Sequence, residues 1–191
     1  MKVIAFNGSA RPRGNTAIML NVALDELKSE GIETEIVSLA GKVILGCRAC
    51  YKCYETVDGH CVVAGDVVNE CIDKMRAADG ILLGSPTYFA DLTAGMKALI
   101  ERSGMTARAN KNMFQRKVGA GVVAVRRGGA IHTFDSLNHF FLISQMVVVG
   151  SIYWNIGIGR EPGEVEKDEE GIETMKVLGR NMAWLLKKIE G

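Results

Sequence analysis

Residues 2–16 read KVIAFNGSARPRGNT, a short apolar run that passes at Gly8 into a polar loop. The apolar run has the β-branched and aliphatic residues of a buried strand. Residues 16–30 carry apolar side chains at helical spacing, and residues 34–39 alternate between apolar and polar side chains. Strand, helix and strand in this order predict a βαβ unit with parallel strands and a right-handed crossover.

The same alternation of patterns continues along the chain. Further helical patterns cover residues 67–78, 92–103, 131–144 and 171–189, and further strand patterns cover residues 80–84, 118–125 and 146–152. The strand patterns are apolar almost throughout, which is typical of strands buried on both faces of a sheet. Five strands that alternate with helices predict an α/β fold with one doubly wound, five-stranded parallel sheet. Long loops that can carry function remain at residues 41–65, 105–117 and 155–168.

Composition and charge indicate a single globular domain, residues 1–191. Hydrophobic residues make up 48% of the chain and charged residues 24%, and the formal net charge is +1. There is no basic excess that would indicate a nucleic-acid or anionic-membrane partner. Polar residues interrupt the apolar stretch 140–159, which favours a helix end and a buried strand over a membrane span. Because no signal-peptide pattern is present, we expect a cytoplasmic protein.

The loop after the first strand has the composition of a phosphate site. It leads into a helix N-terminus, where unpaired backbone N–H groups and the helix dipole favour an anion. Small residues let the backbone approach a phosphate, and hydroxyl, amide and guanidinium groups add hydrogen bonds. The candidate phosphate ligands are Ser9, Arg11, Arg13, Gly14, Asn15 and Thr16. The spacing matches neither the dinucleotide G-x-G-x-x-G pattern nor the P-loop, and a simple helix cap at Asn15 or Thr16 is the alternative.

Two further loops follow strands at the edge of the sheet where ligands of open α/β folds bind. The loop after the third strand offers a proline that ends the strand, a hydroxyl, and two aromatic rings that can flank a ring system. The loop after the fourth strand offers an arginine and two glycines that allow close backbone approach. The candidate ring-binding residues are Pro86, Thr87, Tyr88, Phe89, Arg126, Gly128 and Gly129. The alternatives are a core position for either aromatic ring and a solvated arginine.

Four of the five cysteines fall within the loop 41–65, spaced as Cys47-x2-Cys50-x2-Cys53-x7-Cys61. Without a secretion signal, such a group favours metal or redox chemistry over a disulfide framework. Tight x2 spacings let several thiolates converge on one inorganic cluster, whereas zinc sites more often use two separated pairs. The spacing leaves open a [4Fe–4S] cluster, free thiols or a disulfide, and zinc. Because the loop follows the second strand, we expect it at the same sheet edge, near the other loops.

Several of these segments together resemble a known family. Gly8 to Thr16 resembles the FMN phosphate loop of the NADPH-dependent FMN reductase and iron–sulfur flavoprotein group, and Gly84 to Phe89 resembles its second flavin loop. Residues 126–129 correspond to its third flavin-facing loop, and Lys97 to Arg102 resembles the helix that follows the second. The resemblance covers nearly the whole chain. It implies a flavodoxin-like sheet with strand order 2-1-3-4-5.

The resemblance also implies a function. It indicates an FMN-dependent oxidoreductase or electron-transfer flavoprotein in which the flavin, rather than a catalytic side chain, carries the chemistry. The cysteine spacing resembles the motif with which iron–sulfur flavoproteins bind a [4Fe–4S] cluster, so the expected ligands are Cys47, Cys50, Cys53 and Cys61. Cys71 lies in a helical pattern and is predicted to be a small buried side chain.

Alternatives to this function remain, because relatives that only reduce flavins or quinones carry a similar cysteine pattern without a cluster. The first alternative is an NAD(P)H-dependent FMN or quinone reductase without a cluster. The second is a non-catalytic flavin- or zinc-binding module. The expected partners are a small-molecule or protein electron carrier, namely NAD(P)H, ferredoxin or a quinone, and further copies of the chain in a homodimer or homotetramer.

Overall fold

Six parallel strands form the central sheet of the protein in a computed structural model, which describes residues 1–191. The strands are β1 (Lys2–Asn7), β2 (Glu33–Ser38), β3 (Gly80–Pro86), β4 (Val118–Val125), β5 (Val147–Val148) and β6 (Ile156–Ile158). Five of them have the order β2-β1-β3-β4-β5, and all pairings are parallel. The predicted α/β class, parallel sheet and 2-1-3-4-5 order are confirmed.

The fifth position of the sheet is filled by two short strands instead of one. β5 pairs with the start of β4, and β6 pairs with its end. Between them, the Asn155 side-chain amide donates to the Gly121 carbonyl at 3.0 Å, and the Asn155 carbonyl accepts from the Val123 N–H at 2.9 Å. These bonds return the chain to β4 after the loop that separates β5 from β6. The strand predicted at 146–152 is therefore shorter than expected, and β6 lies within the predicted loop 155–168.

Helices cover both faces of the sheet because its central strands are apolar on both sides. The helices are α1 (Asn15–Ser29), α2 (Lys52–Thr56), α3 (Val68–Ala77), α4 (Ala94–Ala109), α5 (Ala130–Ile143) and α6 (Glu169–Glu190), with a 3-10 turn at Glu164–Lys167. α1 and α6 pack an apolar core on one face, and α3, α4 and α5 pack another on the opposite face. None of these helices combines the length and the apolar character needed to cross a membrane.

α4 continues beyond its predicted end at residue 103. It extends to Ala109 and so occupies the start of the predicted loop 105–117. The continuation buries Thr106 and Ala107, and no glycine or proline between residues 105 and 109 interrupts it. The extra turn adds Met105 and Thr106 to the contacts of α4 with the cysteine loop.

β1, β3 and β4 end at one edge of the sheet, and hydrogen bonds connect the loops that follow them. The Gly8 N–H donates to the Gly84 carbonyl at 2.8 Å, and the Thr93 hydroxyl donates to the Gly8 carbonyl at 2.8 Å. The Thr87 N–H donates to the Ala124 carbonyl at 2.9 Å. The three loops are thus held in fixed relative positions by the rigid sheet, as loops that carry a binding site usually are.

Candidate functional site

A cavity of about 190 Å³ opens between the loops that follow β1, β3 and β4. Eight of the residues predicted for this site line it: Ser9, Arg11, Asn15, Thr16, Pro86, Thr87, Tyr88 and Arg126. The other lining residues are Ala124, Gly159 and Arg160. A larger cavity of about 310 Å³ lies between α4 and α5 and contains none of the predicted site residues. The sheet-edge cavity, where open α/β sheets bind their ligands, is therefore the candidate site.

The end of this cavity at α1 contains hydrogen-bonding groups that have no partner in the protein. Gly14 precedes α1 and offers no side-chain cap, and the backbone N–H groups of Asn15 and Thr16 donate to no protein atom. The Thr16 hydroxyl is also buried without a hydrogen-bond partner. Buried polar groups are normally satisfied, and these three lie at the positive end of a helix dipole. The arrangement fits a bound phosphate.

Two of the predicted phosphate ligands also fasten a distant segment to this loop. The Asn15 side-chain oxygen accepts hydrogen bonds from the Gly163 N–H at 2.9 Å and from the Val165 N–H at 3.4 Å. The Arg11 guanidinium donates to the Arg160 carbonyl at 3.2 Å. These contacts bring Arg160 to the cavity. Sequence reasoning missed this residue, and the only signal for it was its position in a long loop already considered functional.

Five predicted site residues do not line the cavity. Arg13 is exposed, and Gly14 is buried at the start of α1. The Phe89 side chain is fully exposed, and Gly128 is also exposed. Gly129 precedes α5 with a φ of +87°, a conformation that glycine adopts without strain. These residues surround the cavity and shape its loops, and their direct contact with a ligand stays a prediction.

Phe89 and Ala90 form the tip of a tight turn beside the cavity. The Tyr88 N–H donates to the Asp91 carbonyl at 2.8 Å, and the Asp91 N–H donates to the Tyr88 carbonyl at 3.3 Å. Phe89 and Ala90 adopt φ values of +49° and +76°, which cost a non-glycine residue about 1 kcal/mol or more each. Strain of this kind is concentrated at functional sites. The turn leaves Tyr88 half-exposed at the cavity.

All four cysteines of the predicted cluster line one small cavity of their own: Cys47, Cys50, Cys53 and Cys61. No three His, Cys, Asp or Glu side chains stand close enough together to hold a single metal ion. This spacing does not suit a tetrahedral zinc ion, whose Zn–S bonds are about 2.3 Å long. A [4Fe–4S] cluster consists of several atoms and so separates its four cysteine ligands more widely. The four thiols therefore share one cavity, and their binding of a [4Fe–4S] cluster rather than of a zinc ion stays a prediction.

Side chains from α3 and α4 hold the cysteine loop in place. Asn69 of α3 binds both backbone groups of Cys61: its Oδ1 accepts from the N–H at 2.9 Å, and its Nδ2 donates to the carbonyl at 2.8 Å. Glu101 of α4 accepts from the Cys47 N–H at 3.2 Å. Sequence reasoning missed Asn69 and Glu101, because neither lies in the cysteine motif and only their helices bring them to it.

Burial acts on two of the thiols, Cys53 in the loop and Cys71 in the core. Burial, together with the neighbouring cysteines, raises the pKa of the Cys53 thiol. Cys71 is buried in α3, away from both cavities, and burial raises the pKa of its thiol to about 12. The prediction that Cys71 is a small buried side chain is confirmed.

The two cavities are separate. The cysteine loop leaves β2 at the expected edge of the sheet, but it packs against α3 and α4. Its cavity shares no lining residue with the cavity at the ends of β1, β3 and β4. The cysteine loop therefore begins at the same sheet edge as the other loops, as expected. None of its residues, however, lines the cavity that those loops form.

The chain is similar to known proteins along its whole length. The family described as NADPH-dependent FMN reductase matches residues 1–161. An iron–sulfur flavoprotein of Methanocaldococcus jannaschii is 42% identical over 199 residues, and the match covers 100% of both chains. An iron–sulfur flavoprotein of Methanosarcina thermophila is 33% identical, over 100% of this chain and 97% of the relative.

The fold is similar to solved structures as well. A flavodoxin from the domain Archaea superposes with a TM-score of 0.63 at 16% identity, covering 98% of this chain and 99% of the flavodoxin. At this level of identity the likeness concerns the fold alone. It confirms the prediction of a flavodoxin-like fold.

Proposed function

We propose that this chain, which belongs to the NADPH-dependent FMN reductase family, is an FMN-dependent oxidoreductase that passes electrons between FMN and a [4Fe–4S] cluster. One observation carries the proposal: a single chain forms one cavity lined by phosphate- and ring-binding side chains and a second lined by four cysteines. The two relatives named iron–sulfur flavoproteins, at 42% and 33% identity, support it.

The FMN phosphate would lie at the N-terminus of α1. The unpartnered N–H groups of Asn15 and Thr16 and the Thr16 hydroxyl would donate hydrogen bonds to it. The guanidinium groups of Arg11 and Arg13 would offset the negative charge of the phosphate. The proposed phosphate site comprises Ser9, Arg11, Arg13, Gly14, Asn15 and Thr16.

The flavin ring would lie between the loops that follow β3 and β4. FMN bound there would supply the chemistry, since a flavin accepts two electrons and can release them one at a time. Tyr88 would pack against the ring, and Arg126 would stabilise negative charge on the ring or hold the phosphate of a nucleotide. The proposed ring site comprises Pro86, Thr87, Tyr88, Phe89, Arg126, Gly128 and Gly129, with Arg160 added from the structure.

The cysteine loop would hold the cluster through Cys47, Cys50, Cys53 and Cys61. A cluster bound there would exchange single electrons. Burial raises the pKa of the Cys53 thiol, and the positive charge of the iron ions would favour its deprotonated form. Asn69 and Glu101, through their bonds to the backbone of the loop, would keep the sulfur atoms in position.

The partners follow from the family and from the surface. The description of the family favours NADPH as electron donor, and ferredoxin and quinones are the other candidates. Since the two cavities share no lining residue, electrons would pass between them within one chain or between neighbouring subunits. A homodimer or homotetramer is supported by large exposed apolar side chains on and around β5, namely Leu142, Ile143, Val147, Val148, Tyr153 and Trp154.

The test is the absorption spectrum of anaerobically purified protein, together with assays of iron and acid-labile sulfide. We expect flavin bands and about four iron and four sulfide per chain. Cys50→Ala is expected to lose the iron and keep the FMN, whereas the control Cys71→Ala, in the core, keeps both. Flavin without iron and sulfide would overturn the cluster, and a colourless protein that binds no added FMN would overturn the whole proposal.

The same preparations test the alternative of an NAD(P)H-dependent FMN or quinone reductase without a cluster, which the description of the matching family favours. Anaerobic addition of NADPH or NADH bleaches the flavin band if a nicotinamide nucleotide is the donor. Bleaching by NADPH in an iron-free protein would favour this alternative. No bleaching in an iron-loaded protein would point to a protein electron donor such as ferredoxin.

A further inference from the structure

Arg102 of α4 is the largest fully buried side chain in the protein, with 1% of its surface exposed. Its guanidinium is surrounded by groups of the cysteine loop and its flanks. Nη1 donates to the Asp66 carboxylate and, at 3.3 Å, to the Leu45 carbonyl. Nη2 donates to the Val63 carbonyl at 2.5 Å. Nε donates to the Cys61 Sγ at 3.4 Å.

These contacts place one buried side chain across the base of the whole loop. Leu45 lies two residues before Cys47, and Val63 lies two residues after Cys61. One guanidinium therefore binds both ends of the segment that contains the four cysteines. The Asp66 side chain, which is 7% exposed, balances its charge.

Stability alone is a poor reason for such an arrangement. Taking an arginine and a carboxylate out of water costs about as much free energy as their attraction returns, and an apolar pair of similar volume is often equally stable. A positive charge in contact with one particular sulfur atom does something that an apolar pair cannot do. It stabilises negative charge on that sulfur and on whatever the sulfur binds.

We infer that Arg102 is a positioning residue that raises the reduction potential of the cluster held by the cysteine loop; this inference rests on the proposed function. Each electron that enters a cluster adds one negative charge to it. A charged N–H donor to a ligand sulfur stabilises the reduced form more than the oxidised form. Asp66 acts in the opposite direction, because its negative charge offsets part of the effect of the guanidinium. The pair therefore sets the potential through the difference between two opposed charges.

The test is a potentiometric titration of the loaded protein, followed by electron paramagnetic resonance. Arg102→Gln removes the positive charge, and we expect the midpoint potential of the cluster to fall. Asp66→Asn leaves the guanidinium unopposed, and we expect the potential to rise. Arg102→Lys keeps the charge without the Nε contact and is expected to give an intermediate value. The control Arg108→Gln makes the same charge change at an exposed position of α4 and is expected to leave the potential unchanged.

Opposite shifts of the midpoint potential in Arg102→Gln and Asp66→Asn distinguish an electrostatic role of Arg102 from a purely structural one. If Arg102 only held the loop, both variants would lose cluster together or leave the potential unchanged, and either result would overturn the inference. Should Arg102→Gln fail to load, a potential above that of the wild type in Asp66→Asn and below it in Arg102→Lys supports the inference, and unchanged potentials in both overturn it. A wild-type protein without iron would overturn the proposed function as well, whereas loaded variants with unchanged potentials would overturn only this inference.

Discussion

At the residue scale, the structure separates side chains that the sequence could only group together. The sequence predicts six phosphate ligands of equal weight in the first loop. In the structure, the Ser9 hydroxyl accepts from the Arg11 N–H at 3.1 Å, and the Asn15 side-chain oxygen is occupied by two N–H groups of the loop around Gly163. The Thr16 hydroxyl alone among these oxygens is buried and free. It is therefore the best single probe of phosphate binding.

Thr16→Val removes this hydroxyl and nearly preserves the volume of the side chain. We expect FMN binding to weaken about tenfold, which corresponds to one lost hydrogen bond of about 1.4 kcal/mol. The apoprotein should be as stable as the wild type or more so, because an unsatisfied buried group has been removed. Flavin-fluorescence titration gives the affinity, and thermal unfolding of the apoprotein gives the stability.

The control for this experiment is Thr174→Val on α6, where the Thr174 hydroxyl donates to the Glu170 carbonyl at 2.7 Å. This variant should leave FMN affinity unchanged. An FMN dissociation constant for Thr16→Val equal to that of the wild type would show that the hydroxyl does not contact the phosphate.

At the scale of single elements, the cysteine loop shows which structural features the spacing of the cysteines in the sequence can predict. The spacing predicts that the four thiols converge, and the structure brings them to one cavity. Spacing cannot predict what holds the loop, because its partners Asn69, Glu101 and Arg102 lie on helices further along the chain. Their side chains reach the loop only when α3 and α4 pack against the sheet.

The ion pair between Asp66 and Arg102 predicts a dependence of stability on pH. Burial by itself would raise the pKa of the Asp66 carboxyl, but the hydrogen bond from Arg102, a hydrogen bond to the backbone at Val68 and the charge of Arg102 together outweigh burial and hold the pKa below the ordinary value of 3.8. A depressed pKa in the folded state means that the pair stabilises the protein above about pH 4. That stabilisation is lost as the pH falls below 3.8 towards the folded-state value.

Asp66→Asn is accordingly expected to lower the free energy of unfolding by about 3 kcal/mol at pH 7, since it leaves a buried arginine uncompensated. The difference from the wild type should shrink as the pH falls below about 4. Urea unfolding across this pH range measures the difference in the free energy of unfolding at pH 7 and its decrease at acid pH. The exposed Asp135→Asn is the control and should follow the wild type; a difference for Asp66→Asn that persists undiminished at acid pH would refute the assignment.

Close packing between β3 and α1 gives another prediction at this scale. A Cβ on Gly84 would lie 2.6 Å from Leu20 Cδ1 and 3.0 Å from Thr16 Cγ2. Gly84→Ala should therefore displace α1, cost about 1–3 kcal/mol of stability and weaken FMN binding, because the first turn of α1 forms part of the proposed phosphate site. Gly95→Ala, with no neighbour within 4 Å, should leave stability unchanged or slightly higher in the same urea experiment. Equal stability of the two variants would contradict this packing argument.

At the scale of the whole molecule, the exposed apolar surface around β5 leads to a prediction about association between copies of the chain. Side chains such as Ile143, with 70% of its surface exposed, gather at the sheet edge around β5. Ile143→Arg is expected to reduce the molar mass measured by size-exclusion chromatography with light scattering from that of a dimer or tetramer to that of a monomer. The control Trp184→Arg changes a similarly exposed side chain on α6, at the opposite face of the sheet. A wild-type monomer, or an Ile143→Arg variant of unchanged mass, would contradict the proposed association.

The sequence by itself determined the βαβ order, the loops that line the candidate site and the convergence of four cysteines. These features depend on short-range properties: the period of apolar residues, the glycines and prolines that end elements, and the spacing of thiols within one loop. Only the tertiary structure decided that the fifth strand is split around Asn155, that Arg160 reaches the first cavity, and that Arg102 closes the base of the cysteine loop. Each of these depends on contacts between residues distant in the chain, whose partners are selected by the packing of helices on the sheet and leave no periodic signal in the sequence.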